Sequence, residues 1–116
     1  MKLLKAYRDG ELLLDEVENA NTFFTRLRGL MFRKSIKNNH ALLLSPCNEI
    51  HTFFMKFDID TVMLDKDNRI ISIDRAIPPG KVRSRVKHCK KILEMNSGVS
   101  SELNLKVGEK LIFNKN

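Results

Sequence analysis

The chain has 116 residues, 42% hydrophobic and 30% charged, and 21 Lys and Arg outnumber 14 Asp and Glu for a net charge of +7. That length fits one domain, residues 1–116, able to build a core without metal or disulfide staples, and the composition excludes a disordered chain. No apolar run nears the roughly 20 residues of a membrane span, and the opening MKLLKAYRDG is too weakly apolar for an export signal, so a cytoplasmic location is expected. The basic balance favours contact with anions such as nucleic acid, acidic lipid or acidic partners, without selecting one.

Residues 2–8 and 11–18, KLLKAYR and ELLLDEVE, read as a hairpin turned at Asp9-Gly10, a two-residue turn signal, although the second run also suits a helix. In NTFFTRLRGLMF, Asn21 or Thr22 can cap a helix. Phe23, Leu27 and Leu30 then share one face, flanked by Phe24 and Met31. Gly29 either ends this helix or permits close packing.

ALLLS (41–45) reads as a buried strand stopped by Pro46, residues 50–55 alternate, and TVMLD (61–65) enters a turn at Asp65-Lys66-Asp67-Asn68. RIISIDRAI (69–77) runs back antiparallel, Pro78-Pro79-Gly80 breaks the chain, and KKILEM (90–95) is another strand. A short helical turn at 100–105 and a strand at 109–113 complete the domain. The expected fold is α+β, mainly β: a small, strongly bent antiparallel sheet or barrel with one early helix and a short late helical turn.

PCNEIHTFFMKFDID (46–60) concentrates the chemistry-bearing residues. Extended from 47 to 55, it puts Cys47, Glu49, His51, Phe53 and Met55 on one face and Ile50, Thr52 and Phe54 on the other, as in a strand covered on both sides. Cys47 and His51 are then roughly 13 Å apart at ~3.3 Å per residue, too far to share a metal ion or act as a nucleophile pair. His40, His88 and Cys89 add no ligand spacing, so neither metal nor cofactor is expected. The two cysteines are expected to remain thiols.

The segments RLRGLMFR (26–33), ALLLSPCNEIHTFFMKFDID (41–60), KILEMNSG (91–98) and VGEKL (107–111), in that order and spacing, resemble the family named domain of unknown function 192, an uncharacterised protein family. The likeness covers about residues 10–113. It implies a small, mainly β domain with a helix carrying the R-G-L-M segment, and brings no activity with it. Some relatives have Phe-Trp-Met in place of Phe53-Phe54-Met55 and lack the equivalents of Cys47 and His51, which weighs against a family chemistry built on that pair. Asp58 stands where proline is common, and Glu109 where Asp is common. The motif residues suggest a ligand site of Arg26, His51, Met55, Lys56, Asp60 and Glu94, in which Arg26 could fork onto Asp60 or Glu94.

KVRSRVKHCKK (81–91), if extended, aligns Lys81, Arg83, Arg85 and Lys87 on one face as a row of cations able to follow a phosphate backbone. It lacks aromatic residues for base stacking, and a charge-protected edge strand has the same pattern. The residues therefore favour a non-catalytic binding or accessory module for a small molecule or peptide. Nucleic-acid binding through 81–91 is the second reading, and a thiol-dependent hydrolase or transferase using Cys47 and His51 the third.

Overall fold

The computed structural model describes residues 3–115. β1 (Leu3–Arg8) and β2 (Glu11–Ala20) form the expected hairpin, and positive φ at both Asp9 (48°) and Gly10 (81°) gives the turn the twist that a two-residue hairpin needs. Lys2, placed in the first strand from sequence, lies outside the described residues. The second run is strand rather than helix because Leu14 and Val17 bury against the sheet.

α1 (Phe23–Arg28) follows, capped at Thr22 through a reciprocal pair of bonds with Thr25 and ended at Gly29. β3 (His40–Leu44) then lies parallel to β2, in register from Glu16 with His40 to Ala20 with Leu44. The sheet is thus mixed, against the wholly antiparallel expectation, because the crossover carrying α1 is long enough to bring the chain back in the same direction.

β5 (Ile59–Leu64), β6 (Ile70–Ile77) and β8 (Lys91–Asn96) follow the expected spans closely, as does the Asp65–Asn68 turn. There the Asp65 carboxylate accepts the backbone N–H groups of Asp67 and Arg69, and Asn68 takes φ 63°. α2 (Val99–Glu102) is the late helical turn, and β9 (Ile112–Asn114) ends the described fold. The strand order is β6-β5-β8-β3-β2-β1-β9. The sheet stays open rather than closing into a barrel. A single bridge, Arg69 with Lys110, draws the approach to β9 against the start of β6.

β3, β5 and β8 sit at the centre with almost every residue buried, so their side chains divide between two cores. Ala41, Leu43, Val62, Leu64, Leu93 and Met95 face the core beneath β1 and β2. Leu42, Leu44, Ile59, Met63 and Ile92 face the second core, which Leu30, Ile36 and Met55 complete. α1 and the 46–57 segment lie on this second side.

The stretch 47–55 is not the doubly covered strand expected from its alternation. Only β4 (Ile50–His51) is extended, paired with β7 (Val82–Arg83) in a separate two-stranded sheet. Thr52 stops it: its hydroxyl donates to the Pro78 carbonyl (2.7 Å) and accepts from Lys81 N–H (2.8 Å), while its own carbonyl accepts from Gly80 and Met55 N–H. The chain then turns through Phe54 at φ 64°.

Candidate functional site

α1 buries none of its six residues. Its apolar face, expected to pack on the sheet, instead leaves Phe23 64% and Leu27 52% exposed, because the helix stands off and walls a cavity. The cavity measures about 470 Å³, within the size range of small-ligand pockets. Phe23, Leu27, Ile50, Met55 and Val82 supply much of its apolar lining, and Arg26, Arg28, Cys47, Glu49, His51 and Glu94 its polar side chains.

Glu94 lies on β8 between two neighbours, opposite Leu42 of β3 and Thr61 of β5. It is 3% exposed, and its Oε1 has no hydrogen-bond partner among the described residues. The same is true of the Thr61 hydroxyl beside it. Burial pushes the Glu94 carboxyl up to about 8, against an opposing pull from the charge of Arg33. Arg33 itself is engaged by both carboxylate oxygens of Glu18, at 2.6 and 3.1 Å.

Gly29 closes α1 directly in front of this carboxyl. A Cβ there would sit 3.5 Å from Glu94 Oε1 and 3.8 Å from the Arg26 carbonyl oxygen. The glycine therefore ends the helix at φ 48° and also keeps the approach to Glu94 free of a side chain. Both of the roles read from the sequence are filled by one residue.

The fold gathers Arg26, His51, Met55, Glu94 and Cys47 around this cavity. Arg26 does not fork onto a carboxylate; its guanidinium donates to the Asn21 carbonyl at 3.3 Å. The Nδ1 of His51 accepts the Phe53 N–H (3.2 Å), and its ring stacks on Phe53. Two of the expected ligand residues lie elsewhere. Lys56 is exposed and does not line the cavity, because the chain has already turned at Phe53-Phe54. Asp60 projects from the opposite face of β5, into the other core, so the pleat separates it from Arg26 and Glu94. There its carboxylate accepts from Ala76 N–H, Gly98 N–H, Ser100 N–H and the Ser100 hydroxyl, at 2.6–3.1 Å.

Loss of the extended path also removes the reason for holding Cys47 and His51 apart: both line the cavity. They are not joined by a hydrogen bond. The Cys47 thiol donates to the Glu49 carbonyl at 3.1 Å, and burial raises its pKa, which keeps it protonated. Among the described residues no three His, Cys, Asp or Glu side chains gather as a metal-ligand set.

The row of cations at 81–87 does not form. Only Val82–Arg83 is extended, Arg83 pairs with Asp74, and the chain turns at Lys87-His88, where His88 has φ 71°. No helix among the described residues is long and apolar enough to cross a membrane. Sequence reasoning missed Leu27 and Val82 as cavity walls and Thr61 as the neighbour of Glu94. The helical periodicity placed Leu27 on the apolar face of the helix without giving that face a role at a cavity, and no sequence signal pairs Thr61 with Glu94, since that follows from strand register.

Comparison with known proteins gives the same fold and a family. A UPF0127 protein from Thermococcus sibiricus is 32% identical over 108 residues, covering 88% of this chain and 68% of the relative. A UPF0127 protein from Pyrococcus furiosus is 26% identical over 111 residues, covering 91% and 93%. A match to one from Thermococcus kodakarensis, 40% identical over 67 residues, spans 53% of this chain and 41% of that relative. Among solved structures, a protein of unknown function from Novosphingobium aromaticivorans DSM 12444 superposes with a TM-score of 0.83 at 19% identity, over 95% of this chain and 83% of that one. At such identity the likeness is one of fold. The family model DUF192, described as Uncharacterized ACR, matches residues 5–113, and the chain belongs to that family.

Proposed function

We propose that this chain is a non-catalytic binding module whose cavity holds a small ligand or a short peptide segment. One observation carries the reading: a buried carboxyl with an unbonded oxygen belongs to the wall of a cavity of ligand size whose lining is largely apolar. Apolar walls supply binding energy, and a few convergent polar groups fix orientation. A carboxyl without an internal partner costs stability, a cost that a ligand hydrogen bond removes. Nothing comparable supports catalysis, since the thiol is protonated and bonded to a carbonyl rather than to the imidazole.

Thermal-shift screening against a metabolite and dipeptide library tests the reading. A ligand at one hundred times its Kd stabilises the folded state by about 2.7 kcal/mol, several degrees in Tm. Leu27→Trp and Val82→Trp place bulk at the exposed cavity walls, so both should abolish the shift while leaving the unliganded Tm nearly unchanged. A library that produces no shift, or shifts indifferent to both variants, would remove the proposal.

A further inference from the structure

Resting on that binding reading, we infer that the ligand carries a primary ammonium group on an apolar body, with the ammonium seated against Glu94 beside Gly29. The groups around the glycine gap are acceptors. Glu94 Oε1 is one, and the Arg26 carbonyl at the end of α1 is the other, since it accepts no hydrogen bond among the described residues. An ammonium has three donors and no acceptor, so it matches a pair of oxygens that an amide or hydroxyl would satisfy less completely.

No cation of the chain is paired with this carboxyl among the described residues, although Arg26 and Arg28 both line the cavity. Arg33 is held by Glu18, and Arg26 reaches back to Asn21. Glu49 adds a second carboxylate to the lining, and Phe23 offers an aromatic face. Both favour a cation, against the opposing charges of Arg26 and Arg28 in the same lining. The approach past Gly29 is narrow, since even a methyl there would lie 3.5 Å from Oε1, and it suits a compact ammonium better than a planar guanidinium. Leu27, Met55, Ile50 and Val82 then receive the apolar body.

Seating a cation here changes the protonation of Glu94. At pH 7 a carboxyl pushed up to about 8 is mostly neutral, and pairing with an ammonium makes it ionise. Its proton passes to buffer, close to one per site, and no bond to carbon is made or broken.

The test uses three probes of one shape: 2-phenylethylamine, 2-phenylethanol and 3-phenylpropanoate. Each is titrated calorimetrically at pH 7 into wild type and Glu94→Gln, in two buffers of different ionisation heat. The expected result is that the amine binds at least tenfold tighter than the alcohol or the acid and releases close to one proton. Glu94→Gln, an isostere of the protonated acid, should abolish both the preference and the proton release. The release is read on wild type alone, so it stands even if the variant misfolds. An amine that binds no better than the alcohol, or without proton release, overturns the ammonium assignment. Binding of the alcohol or the acid in that case leaves the cavity reading intact, whereas no probe binding and no library shift remove both.

Discussion

Neighbouring strands β5 and β8 send two carboxylates out of the central sheet in opposite directions. Asp60 on β5 enters a core where four donors meet it, two of them backbone N–H groups at the start of α2. Glu94 on β8 enters the other core and meets no donor at Oε1. Both are buried, Asp60 fully and Glu94 to 3% exposure. A fully bonded carboxylate fastens secondary structure, here α2 and the end of β6 to β5. A carboxyl buried with an oxygen left over does not repay its own desolvation and is retained at some cost in stability. The cavity lies on the side of the second.

The sharpest test of that contrast is pH. Below the unfolded-state value of about 4.5, Glu94 holds its proton in both states and contributes no slope. Between there and about 8 the unfolded chain loses a proton that the folded chain keeps, so stability falls as pH rises, and above about 8 the loss is complete. The whole effect is up to about 5 kcal/mol. The carboxylates of Asp15 and Asp65, held below the usual range by Lys5 and by turn N–H groups respectively, act at lower pH and outside this window. Urea titrations at pH 5 and pH 8 should show the fall in wild type and its disappearance in Glu94→Gln. An equal slope in both proteins would mean that Glu94 is not the group responsible.

Next in size, Asp60→Ala should destabilise by about 3–5 kcal/mol at neutral pH, because it leaves several donors unbonded in a closed core. It should leave cavity ligands unaffected in any variant population that remains folded. If Asp60→Ala cost less than Glu94→Gln at pH 7, the assignment of the two roles would be reversed. Gly29→Ala is expected to cost about 1–3 kcal/mol, because φ 48° with ψ −127° lies outside the regions open to alanine, while its methyl fills the approach to Glu94. It should therefore weaken ligand binding beyond any stability loss. Smallest of all, Cys47→Ser should change stability by about 1 kcal/mol or less. The wild-type Cys47 thiol should alkylate with iodoacetamide at pH 7 more slowly than free cysteine, and faster alkylation would revive the nucleophile reading.

Much of the fold was legible in local pattern. The Asp9-Gly10 turn, the Thr22 cap, the Asp65–Asn68 turn and the apolar runs of β3, β5 and β8 each follow from a handful of adjacent residues. Of the six residues named for a ligand site, the fold brings four around one cavity and leaves two elsewhere. Arg26, His51, Met55 and Glu94 do share a cavity, yet the fork from Arg26 to a carboxylate does not form, and Asp60 and Lys56 lie outside the lining. Alternation from 47 to 55 suggested a strand because it records only the order of apolar and polar residues. Thr52 breaks that strand through bonds to Pro78 and Lys81, which are distant in sequence.

By itself the sequence determined most of the central strands, the two tight turns and the cap of the early helix, because backbone preference and side-chain period act over a few residues. Only the tertiary structure decided that β2 and β3 run parallel, that α1 stands away from the sheet, and that Asp60 and Glu94 face different cores. Those outcomes depend on which strands become neighbours and in what register, and register converts a one-residue difference in position into opposite sides of a sheet.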